Sequence, residues 1–75
     1  MEGHFVYKSV GLRWTVVDGT EPGEQCVKGS VLELRTGGVS IVRRYPIKIS
    51  QIQAERDARA IAPRLLAIAA EWSKA

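Results

Sequence analysis

Residues 50–75 read SQIQAERDARAIAPRLLAIAAEWSKA, and the reading of this stretch decides the fold. Ala54, Ala58, Ile61, Leu65, Ile68 and Trp72 recur at steps of four and three, with Ala62 and Ala69 beside them. That is the apolar stripe of an amphipathic helix. Ser50 followed by Gln53 matches the capping box, in which each residue satisfies a backbone donor of the other. Glu55 stands four residues ahead of Arg59 on the polar side, the favourable order for an ion pair on a helix. A helix over about 51–73 is therefore expected. Pro63 falls inside it, opposite the stripe. The carbonyl it frees then faces water, and a bend or break is expected there.

The residues before this helix read as strands and turns that need a cover. Phe5–Ser9 and Leu12–Val17 are rich in β-branched and aromatic residues. A two-residue loop at Val10-Gly11 would set Tyr7 against Trp14 and Phe5 against Val16, gathering the large apolar groups on one face. Asp18–Gly23, reading DGTEPG, is expected to be a turn-rich connection. Glu24–Lys28 is a candidate for a short extended return that Gly29 ends. Ser30–Thr36 and Val39–Tyr45 form a second hairpin around Gly37-Gly38, which supplies the positive φ that such a turn needs. This pairs Thr36 with Val39, Leu34 with Ile41 and Leu32 with Arg43 on one face. The other face pairs Arg35 with Ser40, Glu33 with Val42 and Val31 with Arg44. Tyr45-Pro46 ends the ladder, because proline has no N–H to donate.

The expected architecture is α+β: a three- or four-stranded antiparallel sheet of two hairpins over about 4–46, one face covered by the C-terminal helix. Residues 1–75 read as a single domain. An unbroken 51–73 helix would be about 35 Å long, whereas strands of six residues run about 20 Å. Either Pro63 bends the helix onto the sheet, or the distal half carrying Leu66 and Trp72 reaches past the sheet to a partner. In outline the arrangement is similar to small single-strand-binding coactivator domains that dimerise, a likeness of architecture carried by no motif.

Composition narrows the function. The apolar share is 45% and the charged share 25%, ordinary for a globular domain. No run of about 18 apolar residues could span a membrane. The start, MEGHFVYKSV, lacks a signal peptide's pattern. A lone cysteine without an export signal points to a reducing, cytoplasmic setting. His4 and Cys26 stand on different elements with no third group to orient them, and one His with one Cys cannot build a structural zinc site. Asp18, Glu21 and Glu24 do not have EF-hand spacing, and no glycine pattern matches a phosphate loop. A non-enzymatic binding module without metal, cofactor or small-molecule substrate is expected.

The net charge of +3 comes from the middle of the chain. Lys28, Arg35, Arg43, Arg44 and Lys48 stand there against Glu33 alone. On the sheet face away from the helix, Lys8, Arg13, Arg35 and Arg44 are expected among Val6, Thr15, Val17, Val31, Ser40 and Val42. The four cations suit nucleic-acid phosphates. With Phe5, Tyr7 and Trp14 turned to the helix, no aromatic remains to stack on bases, so binding would be electrostatic and salt-sensitive. The alternative is a self-associating or protein-interaction domain using Val6, Val17, Val31 and Val42, or the distal helix with Leu66 and Trp72.

Overall fold

The computed structural model describes residues 1–21 and 27–73, with side chains over 1–19 and 29–72. Four antiparallel strands, β1 (Glu2–Tyr7), β2 (Val10–Glu21), β3 (Val27–Thr36) and β4 (Val39–Tyr45), lie side by side in chain order. The helix α1 (Gln51–Ser73) packs on one face. This is the α+β arrangement expected from the sequence, with all four strands in one sheet.

The second hairpin has the expected register throughout, from Thr36 opposite Val39 to Val31 opposite Arg44. Gly37 takes the positive φ of 56° at the first turn position, where a residue with a Cβ would be strained.

The first hairpin differs. Its turn lies at Lys8-Ser9, with φ of 48° and 67°, so Tyr7 pairs with Val10 and Phe5 with Leu12. A turn at Val10-Gly11 would have forced a β-branched valine to positive φ, a conformation that Lys and Ser reach at lower cost. Each β1 residue therefore pairs four positions earlier on β2 than expected. Four is even, so the faces survive the shift: Phe5, Leu12, Trp14 and Val16 still share the helix side.

The strands are also longer than expected. Asp18, Gly19, Thr20 and Glu21 continue β2, and Gly29 lies within β3, opposite Gly19. The expected turn at Asp18–Gly23 is therefore displaced by ladder pairing as far as Glu21. Glu24, Cys26 and the rest of 22–26 lie outside the described residues. Beyond Val16, β2 has no β1 partner, since Met1 and Val16 exchange the last backbone contact. The sheet is three-stranded at Val17 and Asp18, and from Gly19 opposite Gly29 a two-stranded β2–β3 ribbon continues.

The helix starts where the cap placed it. Gln53 N donates to Ser50 Oγ at 3.2 Å and Ala54 N to Ser50 O at 2.9 Å. The helix runs unbroken through Pro63, which is exposed on its outer side, as a solvent-facing proline can be. Its buried line is Ala54, Ala58, Ala62 and Leu65. Ile61 and Ile68 are half-buried beside that line, and Trp72 is 73% exposed. The stripe is thus rotated from the expected one: small alanines, rather than isoleucines, face the sheet and allow close approach. Phe5, Leu12, Trp14, Val16, Leu32 and Leu34 complete the core with Ile49. The link between β4 and α1 is tied down where Ile49 N donates to the buried Ser30 Oγ at 3.1 Å. Arg59 pairs with Glu55 at 3.3 Å and lies over the Phe5 ring, 4.7 Å from its centroid.

Candidate functional site: the open sheet face

Strand parity assigns the face away from α1 to Glu2, His4 and Val6 of β1; Gly11, Arg13, Thr15 and Val17 of β2; Val31, Glu33 and Arg35 of β3; and Ser40, Val42 and Arg44 of β4. The register then sorts these residues into rows across the strands. One row is His4, Arg13, Arg35 and Ser40. The next is Glu2, Thr15, Glu33 and Val42, and the third is Val17, Val31 and Arg44.

The first row is the notable one. Arg13 and Arg35 are direct cross-strand partners and both are exposed, although like charges directly opposite each other destabilise a sheet. Arg35 Nε reaches Glu33 Oε1 on its own strand at only 3.8 Å. Arg13 has no ion pair among the described residues. His4, exposed and opposite Arg13, extends the row. A shallow trough of about 460 Å³ runs beside it, lined by His4, Val6, Gly11, Arg13, Arg35 and Thr36 among others. Such a row offers several donors to an anion and no carboxylate within the row to compete.

Of the four cations expected on this face, Arg13, Arg35 and Arg44 are there. Arg44 sits two rows away, about 16 Å from Arg13 by strand geometry. Lys8 is not. It occupies the turn, with its ammonium 5.6 Å from the Tyr7 ring centroid, because the hairpin closes two residues earlier than expected. His4 joins this face, because its spacing of two from Val6 puts both on one side of β1.

The valines separate as well. Val17 is 59% exposed and directly opposite Val31, with the half-exposed Val42 on the next row. Val6, 69% exposed, lies at the opposite end beside the turns. The face is therefore a cationic row and an apolar patch with the row of Glu2, Thr15, Glu33 and Val42 between them, rather than an even mixture.

The helix side carries one perturbed group. Tyr45 Oη donates to Asp57 Oδ2 at 2.5 Å. Burial, aided by this bond and by the Asp57 charge, pushes the phenol up to about 12. The contact fixes the end of β4 to α1. Among the described residues, no cluster of three or more His, Cys, Asp or Glu could hold a metal ion, and no helix is long and apolar enough to cross a membrane. The distal helix forms a groove with the hairpin ends, lined by Val10, Gly37, Gly38, Val39, Leu66 and Trp72 among others.

Fold and surface together define a small α+β domain with an open, cationic sheet face. No family model, no curated protein and no solved structure matches the chain.

Proposed function

We propose that this protein is a non-enzymatic binding module that engages the phosphate backbone of nucleic acid through the open face of its sheet. The observation that carries the proposal is the exposed Arg13–Arg35 cross-strand pair. Two guanidinium groups held side by side repel each other in the free protein and are relieved by a bridging anion. Arg44, without an ion pair among the described residues, supplies a third contact. The large aromatics Phe5 and Trp14 are buried under the helix, so bases have no stacking platform on this face and sequence preference is weak.

The test is a titration of single-stranded and duplex oligonucleotides over a range of salt. Three phosphate contacts give a slope of log affinity against log salt of about −2 for a single strand. Affinity then falls about twentyfold between 50 and 200 mM salt. A slope near zero, or no binding at low salt, sinks the proposal.

A second reading has its own observation. The exposed Val17 stands opposite the half-buried Val31 and next to the exposed Val42, an apolar patch that a second copy of the chain would cover. Light scattering decides it: a monomer at high concentration removes self-association.

A further inference from the structure

We infer that the free edge of β4 is a strand-addition site for an extended, acidic segment of a partner protein. The reasoning rests on the edge of the sheet and on Arg43 and Arg64, which the open-face proposal does not use; Arg44 alone belongs to both.

β4 is the last strand of the sheet and pairs only with β3. No other backbone hydrogen bond reaches it among the described residues. Every second residue of such an edge directs its N–H and C=O outward, ready to pair with an incoming chain. A groove of about 480 Å³ runs along this edge, lined by Ile41, Val42, Arg43, Ala60, Ile61 and Arg64. Four of its six lining residues are aliphatic, and its only charged groups are two exposed arginines. The strand itself, VSIVRRY, contains no acidic residue.

The nearby carboxylates are already engaged. Asp57 accepts the Tyr45 hydroxyl and Glu33 lies beside Arg35. Arg43 is positioned by the Tyr45 ring, 5.9 Å from its centroid. An incoming strand would alternate its side chains between two settings. One set would meet Ile41, Arg43, Ile61 and Arg64 on the helix side. The other would meet Val42 and Arg44 on the open side. Both settings combine an aliphatic surface with a cation, so the fitting segment carries acidic and apolar residues on each of its two faces.

The other occupants fit less well. Two copies pairing through β4 would crowd four guanidinium groups, Arg43 and Arg44 of each chain, into one ribbon. Nucleic acid would use the arginines but leave Ile41, Ile61 and the backbone ladder without partners. The edge of β1 does not share these properties. Its groove carries the carboxylates of Glu2 and Glu55 alongside Arg13.

The experiment uses the whole protein and a labelled peptide of about ten residues in which glutamate and valine repeat in pairs, so that each face carries both, followed by fluorescence anisotropy. Binding with a dissociation constant below about 100 μM is expected. The double variant Arg43→Gln/Arg64→Gln should weaken it at least about tenfold with an unchanged circular dichroism spectrum, and a lysine–valine peptide should not bind. Two further peptides, N-methylated on one or the other alternate set of residues, test the ladder on the unaltered protein. Only the set whose N–H groups pair with β4 should abolish binding. No binding of the glutamate peptide up to about 1 mM overturns the inference. So does equal binding of both methylated peptides, or of the lysine peptide. A tenfold loss of oligonucleotide rather than peptide affinity in the double variant, or a doubling of mass that depends on Arg43 and Arg64, also overturns it.

Discussion

Arg13→Gln should make the free protein more stable while making it a poorer ligand for nucleic acid. The reason lies in the register that sets Arg13 opposite Arg35. Two exposed unit charges about 7 Å apart in water repel by about 0.6 kcal/mol. At 0.1 M salt, where the Debye length is about 10 Å, roughly half of that remains. The unfolding entropy of a chain this short is about 0.16 kcal/mol/K. Removing the repulsion should therefore raise Tm by about 4 °C at very low salt and about 2 °C at 0.1 M, with the difference vanishing near 1 M. Differential scanning calorimetry across salt concentrations measures this directly. Oligonucleotide titrations of the same variant should show a salt slope shallower by about 0.7 for a single strand. Glu2 and Glu33 lie on the diagonals of Arg13, as the cross-strand partners of Thr15 are placed. If Arg13→Gln lowers Tm at low salt, those carboxylates already satisfy Arg13. The row is then an internal charge network, and the case for a bridging anion fails.

Three other perturbations probe the frame that holds this face. Gly29→Ala should unfold the protein or sharply lower its Tm, because a Cβ there would stand 2.0 Å from the Tyr45 carbonyl oxygen, a backbone atom that cannot swing aside; near-normal melting would mean that the β3–β4 end is looser than described. Stability should decline between about pH 10 and pH 12, since the Tyr45 phenol ionises near 10 when unfolded and only at about 12 when folded. Its contribution is complete below pH 10 and is lost as pH rises through the folded value, so Tyr45→Phe should flatten that part of the denaturation profile. Trp72→Ala should change Tm by no more than about 0.5 kcal/mol would produce, because the ring is 73% exposed; a large loss would reveal a contact made in solution, in keeping with self-association through the distal helix.

The elements with strong local chemistry were legible in the sequence. The Ser50 cap placed the start of α1, and the two glycines at 37 and 38 fixed the second hairpin residue by residue. The first hairpin was not legible in detail. Gly11 attracted the turn, yet the structure spends its two positive φ values on Lys8 and Ser9 and keeps Gly11 in β2. Likewise Asp18-Gly19 carries a turn signal that ladder pairing overrides, since nothing in local propensity reports the partner strand at Lys28–Ser30. Strands of six residues would leave a 51–73 helix overhanging the sheet, but β2 has 12. Even so, the helix end with Trp72 lies bare beside the hairpin turns. On the open face, period-2 parity placed the expected residues apart from Lys8, while Glu2 and His4 joined the face only once β1 was seen to begin at Glu2. The grouping into a cationic row and a valine patch needed the cross-strand register, which only the fold supplies.

That grouping follows from how the domain divides its sequence between stability and surface. Every buried apolar residue of the sheet belongs to one parity of its strand and faces α1. The other parity contributes backbone pairing but no core. A substitution at Arg13, Arg35 or Arg44 therefore leaves packing untouched, and the cost of placing two arginines opposite each other is a few tenths of a kcal/mol rather than several. A core clash or an unpaired buried charge would have cost several times more. A two-layer domain of this size has one face on which repulsive charges are cheap to keep, and the Arg13–Arg35 row lies on that face. The groove at β4 obeys the same economy: Arg43 and Arg64 line its rim while Ala58 and Ala62, a turn apart on α1, hold the helix close to the sheet. Binding groups at both places can thus be removed singly without unfolding the protein, which is what allows each surface to be tested apart from the fold.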